Sequence, residues 1–378
     1  MMIQNQLILS LGSNIGNRLA FLRNAIAEIH QICGTVVQVS HVYETPSWGF
    51  ASQAFLNMVV LVHTSKTAQK SLSILHKIEK KLGRNPKNGN VYQARTIDID
   101  IITFNNDVVQ SENLVIPHPQ MQNRQFVLQP MLDLKMDFYH PILDMNLKQL
   151  SEHCADKAVC VLFQKMVSPL AEIPLQRYNY VAIEGNIGAG KTTLVNKISE
   201  DCNAKTILER FADNPFLPKF YKDQPRYAFP LEMSFLADRY QQLSDDLAQF
   251  DLFKDFVMAD YHVFKSLIFA KVTLQDDEFR LYKTMFDIIY KEMPKPDLYI
   301  YLYQDTARLL QNIKKRGRAY EQNIEASYLE KINRGYLDYI KQQQDLNVLI
   351  IDVSERDFVK KQSDYIFVLN EIKKKLLR

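Results

Sequence analysis

The pattern of hydrophobic and polar positions predicts two kinds of strand in this chain. Tyr180 to Ile183 form a short continuous apolar run, which is typical of a strand buried on both faces. The stretch from Arg95 to Ile102 instead alternates, so that three isoleucines share one face of a strand while Asp98 and Asp100 share the other. The first pattern predicts a core strand, and the second predicts a strand whose polar face carries two neighbouring carboxylates.

Further strands are predicted where apolar residues end at an acid or before a basic cluster. Glu209 follows Ile207 and Leu208, Asp260 follows the run F-V-M-A, and the apolar run at 298–302 precedes a basic segment. Between these strands, Glu232 and Arg239 lie seven residues apart on a predicted helix. Because seven residues make two helical turns, both side chains should face the same pocket.

The segment from Gly185 to Thr192 directly follows the predicted core strand and reads G-N-I-G-A-G-K-T, a match to the phosphate-binding P-loop. Its glycines allow a tight turn that points amide hydrogens at a phosphate, and a helix beginning at Lys191 adds favourable potential. Lys191 would meet the β and γ phosphates, and the Thr192 hydroxyl would meet Mg2+. A turn that binds no ligand is the alternative. The predicted ATP-binding residues of this segment are Gly185, Asn186, Ile187, Gly188, Ala189, Gly190, Lys191, Thr192 and Thr193.

The position of the P-loop predicts two domains. P-loops commonly follow the first strand of their domain, so the roughly 180 residues ahead of this one require a separate domain. A chain of 378 residues with 47% hydrophobic content can bury two cores. The stretch from Lys165 to Asn179 contains two prolines and no clear period. We therefore predict a domain over 1–164, a linker over 165–178 and a second domain over 179–378.

Composition excludes several classes of protein. Forty-six basic and 43 acidic residues give a net charge of only +3, which disfavours nucleic acid as the main partner. The first residues lack a basic leader, and no segment approaches the roughly 18 apolar residues that span a bilayer. The four cysteines show no C-x-x-C spacing, which fits reduced thiols rather than disulfides or a zinc site. We expect a cytoplasmic protein that acts on small molecules, without nucleic acid or a membrane as a partner.

The paired carboxylates of Asp98 and Asp100 need a partner of opposite charge. Two acids on one strand face repel each other unless a cation lies between them, and Mg2+ takes one or two carboxylates together with phosphate oxygens. This pattern therefore favours a metal–nucleotide site. A solvated sheet face is the alternative for the segment taken alone.

Four segments of the first domain occur in a recognisable order: L-G-S-N-I-G-N-R at 11–18, Y-E-T-P-S-W-G at 43–49, R-T-I-D-I-D at 95–100 and I-P-H-P-Q-M-Q-N-R-Q-F at 116–126. Their order and spacing resemble 6-hydroxymethyl-7,8-dihydropterin pyrophosphokinase over about residues 5 to 160. The resemblance implies a ferredoxin-like α+β fold with two Mg2+ ions. It also implies transfer of pyrophosphate from ATP to the hydroxymethyl group of a reduced pterin, a step of folate synthesis.

The resemblance assigns roles to individual residues of the first domain. Asp98 and Asp100 correspond to the metal ligands, and Arg95 and His118 to part of the triphosphate clamp. Further basic contacts near the polyphosphate correspond to Arg84 and Arg124. The pterin pocket corresponds to Thr45, Pro46, Phe55, Asn57 and Phe126. These residue types suit a flat heterocycle, because aromatic rings stack on it and an asparagine offers its edge both a donor and an acceptor.

The loop before Arg95 departs from the family pattern. Members often carry a second arginine two residues after the position of Arg84 and a W-G-P ahead of Arg95, where this chain has Pro86 and Y-Q-A at 92–94. Fewer loop cations would slow the chemical step, because that loop closes over the polyphosphate. Lys87 is a partial substitute. A non-catalytic, scaffolding domain is the alternative to an active enzyme.

Beyond the P-loop, the acid at Glu209 and the basic run I-K-K-R-G-R at 313–318 resemble the deoxynucleoside kinases, over residues 178 to 378. The resemblance implies a parallel sheet flanked by helices, with the nucleoside at the carboxyl ends of the strands. Glu209 corresponds to the general base that takes the 5′-hydroxyl proton, with a solvated loop acid as the alternative. Arg316 and Arg318 correspond to a lid that closes over the transferring phosphoryl group. Taken alone, the basic run also fits a solvated helix face or a nucleic-acid patch.

The same resemblance assigns contacts to the nucleoside. Tyr221 corresponds to a tyrosine on the deoxyribose 3′-hydroxyl, and Glu321 to an acid that helps to hold the sugar. Glu232 stands where many relatives read the base with glutamine. Because an ionised carboxylate only accepts hydrogen bonds, it suits an exocyclic amine or the paired N–H groups of guanine and disfavours thymine. The predicted nucleoside-binding residues are Glu209, Tyr221, Glu232, Arg239, Asp260 and Glu321.

Asp260 marks a second departure from the family pattern. Tyr261 and His262 follow it where relatives carry Arg-Ser. Asp260 can still help to hold Mg2+, but the missing arginine removes a phosphate or base contact, for which Lys265 is the nearest replacement. An ordinary strand-end acid is the alternative.

Together these features predict a bifunctional transferase that uses ATP and Mg2+. A pterin pyrophosphokinase is fused to a kinase that phosphorylates the 5′-hydroxyl of a deoxynucleoside, deoxyadenosine first and deoxyguanosine next. We expect a homodimer through the kinase domain, with Leu231 to Phe250 as an interface. Two alternatives stay open: the first domain is a non-catalytic scaffold, or the P-loop domain is a nucleotide switch or an ATPase that a macromolecule stimulates.

Overall fold

A computed structural model describes residues 4–47, 52–84, 94–134, 136–210, 214–249, 251–343 and 345–377. The chain divides into unit 1, Met1–Pro174 with Lys360–Leu369, and unit 2, Leu175–Val359 with Asn370–Arg378. The domain and linker limits derived from the sequence stay a prediction. Several positions singled out in the sequence lie outside the described residues: Trp48, Gly49, Pro86, Lys87, Tyr92, Gln93 and Phe250.

Unit 1 is built on an antiparallel sheet. Its strands are β1 (Asn5–Ser13), β2 (Thr35–Val39), β3 (Val42–Thr45), β4 (Phe55–Thr64), β5 (Asp98–Phe104), β6 (Val109–Ser111), β7 (Leu114–Ile116) and β8 (Val161–Gln164). The main sheet has the order β5–β1–β4–β3–β8, β2 also pairs with β4, and β6 and β7 form a separate hairpin. The helices are α1 (Arg18–Glu28), α2 (Ala68–Lys81), α3 (Gln125–Met131) and α4 (Leu147–His153).

This connectivity confirms the predicted ferredoxin-like class. Helix α1 follows β1, α2 joins β4 to β5, and β1 lies between β4 and β5. Successive side chains of a strand point to opposite faces, and both faces of β1 are apolar because helices cover both. Leu7 and Leu9 pack in a core with residues of α1 and α2. Ile8 packs in a second core with residues of α3 and α4.

Unit 2 is built on a parallel sheet. Its strands are β9 (Tyr180–Gly185), β10 (Ala204–Ile207), β11 (Phe256–Ala259), β12 (Leu298–Tyr303) and β13 (Val348–Asp352), in the order β10–β11–β9–β12–β13. The helices of this half of the chain are α5 (Lys191–Asp201), α6 (Leu217–Phe220), α7 (Gln224–Ala248), α8 (Phe264–Thr273), α9 (Asp276–Tyr290), α10 (Thr306–Arg316), α11 (Ala326–Gln342) and α12 (Gln362–Leu376).

The sheet of unit 2 places the P-loop at its centre. Strand β9 is buried along its whole length, as the apolar run predicted, and pairs with β11 on one side and β12 on the other. The chain therefore leaves β9 at the point where the strand order reverses, which is where open α/β sheets bind ligands. Asp260 follows β11 and Glu209 follows β10, so all three segments meet at one edge of the sheet. No helix in the described ranges is long and apolar enough to cross a bilayer.

Candidate active sites in the two units

The polar residues of unit 1 come together because neighbouring strands carry them at one level of the sheet. Gly12 of β1 pairs with Asp98 of β5 on one side and with Asn57 of β4 on the other. On the next strand, Thr45 of β3 pairs with Phe55 of β4. Adjacent strands lie roughly 4.8 Å apart, so Asp98 and Asn57 are about 10 Å apart across the sheet. The register thus places the carboxylate strand and three of the predicted pterin-pocket residues side by side.

Asn57 and Thr45, both predicted for the pterin pocket, contact each other. Asn57 Nδ2 donates to Thr45 Oγ1 over 2.7 Å, and both side chains are buried. The Asn57 side-chain amide lies over Gly12 of β1, and a Cβ at Gly12 would lie only 2.8 Å from Asn57 Oδ1. Glycine at this position therefore leaves room for the amide. Phe55 is half-buried, and Pro46 is exposed next to Thr45. The arrangement presents an oriented amide beside an aromatic ring.

Three arginines surround the paired carboxylates of β5. Arg95 Nη1 lies 2.5 Å from Asp98 Oδ2, Arg84 Nη2 lies 2.8 Å from Asp98 Oδ1, and Arg124 Nη1 lies 4.0 Å from Asp100 Oδ2. Burial among these groups and repulsion from Asp98 raise the pKa of Asp100 to about 6. The Asp100 side chain is nonetheless 41% exposed. It therefore stays open to a cation or a phosphate group arriving from solvent.

Arg124 and His118 complete the basic wall of this site. The Arg124 guanidinium lies over the half-buried Phe126 ring, 5.6 Å from its centroid, so the ring predicted for the pterin pocket adjoins the basic groups. His118 Nδ1 accepts a hydrogen bond from the Gln120 amide over 3.1 Å. Burial and the Arg124 charge lower the pKa of His118 to about 4. The imidazole is therefore neutral near pH 7, and its Nε2–H can donate to a phosphate oxygen.

Glu79 is a residue of this site that sequence reasoning missed. Its Oε1 accepts a hydrogen bond from the Ile99 amide over 2.8 Å and forms an ion pair with Arg84. Glu79 lies in the run K-I-E-K-K, which resembles a solvated helix face, yet it is only 4% exposed. Its spacing after the core residues Leu75 and Ile78 of α2 is the one signal that could have found it.

The carboxylates fit Mg2+ in one specific way. Among the described residues, no group of three or more His, Cys, Asp or Glu side chains is placed to hold a metal ion. Mg2+ is usually bound by one or two carboxylates, with substrate phosphates and waters as its other ligands. Asp98 and Asp100 share one strand face and match that arrangement.

In unit 2, the P-loop has the predicted geometry. Gly188 and Gly190 have φ angles of 84° and 85°, which side chains with a Cβ rarely adopt, and α5 begins at Lys191. Lys191 Nζ donates to two carbonyl oxygens of the loop, over 2.9 and 3.0 Å. Burial and the nearby Lys265 ammonium lower the pKa of Lys191 to about 8. The lysine is thus held over the loop and is still mostly protonated at neutral pH, so it can pair with a phosphate there.

Asp260 connects the P-loop to the predicted base. Its Oδ2 accepts a hydrogen bond from the Thr192 hydroxyl, and its Oδ1 accepts one from the Glu209 amide over 2.7 Å. These bonds follow from the strand order, because β11 lies between β9 and β10. Thr192 and Asp260 therefore offer two neighbouring oxygens to a divalent cation.

Glu209 lies between two cations. Arg239 Nη2 donates to Glu209 Oε1 over 2.6 Å, and Lys265 Nζ donates to Oε2 over 2.5 Å. Burial alone would raise the pKa of Glu209, but Lys265 and Arg239 outweigh it and hold that pKa well below its usual range. The carboxylate is therefore ionised at neutral pH. Lys265, predicted as the nearest replacement for the cation that is missing after Asp260, lies within 2.5 Å of Glu209, and its role as that replacement stays a prediction.

The residues predicted for the lid contact one another near a cavity. Arg316 and Arg318 both form ion pairs with Glu321, the latter at 3.2 Å. Tyr221 stacks on Tyr320 with ring centroids 5.8 Å apart. A cavity of about 760 Å³ opens beside them, and its lining includes both tyrosines together with residues of α8 and α11. This volume is within the range of small-molecule sites.

Glu232 lies beside this cavity and is 2% exposed. The hydroxyl of Thr273, which lines the cavity, lies 3.1 Å from Glu232 Oε1 and 2.9 Å from the Phe269 carbonyl oxygen, so its one proton is shared between these two acceptors. Within the described part of the chain, Oε2 has no hydrogen-bond partner. Burial raises the pKa of Glu232 to about 7, although the Arg239 charge opposes that rise.

Comparison with known proteins supports the division into two kinds of site. The family model described as "Deoxynucleoside kinase" matches residues 181–378, and the one described as "7,8-dihydro-6-hydroxymethylpterin-pyrophosphokinase (HPPK)" matches residues 8–136. The chain is 42% identical over 190 residues to the deoxyguanosine kinase of Bacillus subtilis (strain 168). These residues make up 49% of this chain and 92% of that protein. The chain belongs to both families.

Further relatives share each half. The 2-amino-4-hydroxy-6-hydroxymethyldihydropteridine pyrophosphokinase of Aquifex aeolicus (strain VF5) is 34% identical over 157 residues, which cover 41% of this chain and 96% of that protein. Among solved structures, the deoxyadenosine kinase from M. mycoides with bound dATP is 26% identical. It covers 51% of this chain and 98% of that chain, with a TM-score of 0.46.

Family membership gives both units the same general chemistry. The pterin pyrophosphokinase domain, within unit 1, and the kinase domain, within unit 2, belong to families of transferases that use ATP as a substrate. In the kinase domain, sequence reasoning missed Thr273. A threonine at the end of an apolar helix carries no local signal, and its contact with Glu232 spans 41 residues of sequence.

Proposed function

We propose that the residues described above carry two reactions of this bifunctional enzyme: pyrophosphoryl transfer from ATP to a reduced 6-hydroxymethylpterin, and 5′-phosphorylation of a purine deoxynucleoside. The observation that carries the proposal is the presence, in one chain, of two different groups of residues suited to binding phosphate. One is a P-loop beside a buried carboxylate, and the other is a pair of strand carboxylates beside three arginines.

In the kinase reaction, we assign proton transfer to Glu209. Its ionised carboxylate takes the proton of the nucleoside 5′-hydroxyl while that oxygen attacks the γ-phosphorus of ATP, and the bond from that phosphorus to the ADP oxygen breaks. Lys191, Arg316 and Arg318 neutralise charge on the transferring group. Both lid arginines are paired with Glu321, so they must exchange that partner for the phosphoryl group. Thr192 and Asp260 would hold Mg2+, which supplies further charge neutralisation when bound.

In the pterin reaction, the protein acts mainly by positioning. Asn57 and Thr45 orient the edge of the heterocycle, and the Phe55 and Phe126 rings stack on its faces. The hydroxymethyl oxygen attacks the β-phosphorus of ATP, AMP leaves with the bridging oxygen, and the hydroxyl proton is released to solvent. The arginines and the neutral His118 hold the polyphosphate in line for this displacement. Asp98 and Asp100 would hold the Mg2+ that accompanies ATP.

A purine base is favoured by the site at Glu232. A buried carboxyl group with one unpaired oxygen suits bases that present amino or N–H groups, whereas thymine presents an additional carbonyl. The relatives also handle purines: one is named a deoxyguanosine kinase, and another from Bacillus subtilis (strain 168), 27% identical over 210 residues, is named a deoxyadenosine/deoxycytidine kinase. We therefore propose both purine deoxynucleosides as substrates.

We further propose that the enzyme is a homodimer that contacts its partner through the kinase domain. On α9, which packs against α7, Leu281, Met285 and Ile288 are 57%, 40% and 60% exposed, and their spacing places them on one face of the helix. Light scattering after size exclusion tests this: a Leu281→Asp, Ile288→Asp variant should elute as a monomer. The balanced charge and four free cysteines also favour a cytoplasmic enzyme without a nucleic-acid partner.

The two activities can be tested against each other in the same chain. Purified protein with ATP and Mg2+ is assayed with reduced 6-hydroxymethylpterin and, separately, with each of the four deoxynucleosides. Glu209→Gln should abolish nucleoside phosphorylation while the pterin activity persists, and Asp98→Ala should do the reverse. If Asp98→Ala leaves the pterin reaction unchanged, the carboxylate assignment fails, and if the wild type shows no such reaction, the first domain is a scaffold.

A further inference from the structure

The nucleoside site contains two buried glutamates in opposite surroundings. Glu209 accepts hydrogen bonds from Arg239 and Lys265, whereas the hydrogen bond that the described residues provide to the Glu232 carboxylate comes from the Thr273 hydroxyl. Arg239 does not fix Glu232, because its Nε and Nη2 donate to Glu209 and its Nη1 donates to Ser266. Glu232 is thus buried without a bonded cation in the part of the chain that the structure describes.

The groups around Glu232 leave its charge finely balanced. From α7 and α8, Arg239 and Lys265 favour the ionised form, and so does the hydrogen bond from Thr273. Burial outweighs them and, with the Glu209 charge, raises the pKa of Glu232 to about 7. The other titratable groups that interact with it are the hydroxyls of Tyr221, Tyr282 and Tyr328. The tyrosines stay neutral near pH 7, because burial raises the pKa of each one.

The two forms of the carboxyl group match different base edges. An ionised carboxylate offers only acceptors, and guanine presents two adjacent donors at N1–H and the N2 amine. Adenine presents one donor, its N6 amine, next to the acceptor N1, so it requires one acceptor and one donor from the protein. A neutral carboxyl group supplies that pair and can also bind the O6 and N1–H edge of guanine, whereas a carboxylate would oppose the adenine N1 lone pair.

We propose that the protonation state of Glu232 decides which purine the kinase domain accepts: the carboxylate selects guanine, and the neutral carboxyl group also admits adenine. The inference rests on the proposed role of Glu232 at the base. Under this proposal, the preference of the enzyme between the two purines changes with pH.

A competition assay tests the proposal directly. The full chain, ATP and Mg2+ are incubated with equal concentrations of deoxyguanosine and deoxyadenosine between about pH 5.5 and pH 8.5, a range chosen to bracket the pKa of about 7. Initial rates of dGMP and dAMP formation then give the ratio of the two kcat/KM values. Ionisation of ATP or of Glu209 affects both products and cancels in the ratio. We expect the ratio of dGMP to dAMP formation to be constant at low pH. Above the pKa of about 7, this ratio should rise by up to about tenfold per pH unit.

Three variants serve as controls. Glu232→Gln keeps the size of the side chain but does not ionise, so its ratio should be independent of pH. Thr273→Val removes a hydrogen bond that favours the ionised form, so the rise should begin at higher pH, and this variant decides the matter if Glu232→Gln does not fold. Glu330→Gln, an exposed acid on α11, should retain the wild-type rise.

The outcomes separate this inference from the proposed function. If both nucleosides are phosphorylated with a ratio that does not vary with pH, or if the rise survives in Glu232→Gln, the inference is wrong and the kinase assignment stands. If neither nucleoside is phosphorylated at any pH, the proposed kinase function itself is wrong.

Discussion

Replacement of Glu79 should unfold the pterin pyrophosphokinase domain at lower denaturant concentration. The carboxylate is buried, pairs with Arg84 and accepts the Ile99 amide bond over 2.8 Å. In Glu79→Ala, that amide becomes a buried donor without its partner, which costs about 1–3 kcal/mol. Loss of one partner of a buried ion pair costs about 3–5 kcal/mol, but Arg84 keeps Asp98 at 2.8 Å, so the lower end applies. We expect a total of at least about 4 kcal/mol.

The conservative variant divides this total. Glu79→Gln retains an oxygen that can accept the Ile99 amide bond and loses the charge opposite Arg84, so we expect a loss of about 3 kcal/mol, the ion-pair contribution alone. The difference between the two variants then measures the hydrogen bond to the strand that carries Asp98 and Asp100. Both variants should also weaken the pterin reaction, because Arg84 loses the group that orients it.

Urea unfolding followed by tryptophan fluorescence is the assay. The chain has a single tryptophan, Trp48, which belongs to the first half of the sequence, so its signal reports on that domain. With a slope of about 2 kcal/mol per molar urea, a loss of 4 kcal/mol lowers the midpoint by about 2 M. Deoxynucleoside phosphorylation should remain intact and shows that the kinase domain is folded. A midpoint for Glu79→Ala within about 0.3 M of the wild type would refute the reasoning.

Three other predictions address the two sites. Glu209→Gln should lower kcat for deoxyguanosine phosphorylation by about 10²–10⁴-fold, as steady-state kinetics with a coupled ADP assay would show. Gly12→Ala should raise the KM for the pterin at least about tenfold, because the new Cβ would lie 2.8 Å from Asn57 Oδ1 and displace that amide, and a fluorescence titration with the pterin checks it. The pKa of Glu232 is raised to about 7, so the folded state binds more protons than the unfolded state between about pH 4.5 and pH 7. The free energy of unfolding of the wild type should therefore fall across that window relative to Glu232→Gln, as denaturant titrations at several pH values would show.

Local features of the sequence were sufficient wherever a site is built from adjacent residues. The P-loop could be predicted because glycine spacing, the strand before it and the helix after it lie within one short segment, and the structure has all three. The two faces of β5 could be predicted from alternation, since Ile99 and Ile101 are buried and the two carboxylates lie opposite them. Both fold classes followed once such segments were recognised in order.

The surroundings of each charged group could not be predicted in this way. Glu79, Glu209 and Glu232 are the same residue in the sequence, yet one orients an arginine, one lies between two cations, and one has a single hydroxyl as the described partner of its carboxylate. Lys265 reaches Glu209 across 56 residues of sequence, a contact that the strand order of the sheet creates.

The sequence by itself therefore determined the two folds, the reaction classes and most of the candidate phosphate-binding residues, because these depend on local period and on side-chain chemistry. Tertiary structure alone decided which acid is ionised, which is close to neutral, and which one orients an arginine. The physical reason is that burial and neighbouring charges set the charge state of a carboxyl group. Those neighbours come from distant segments that only the folded sheet brings together.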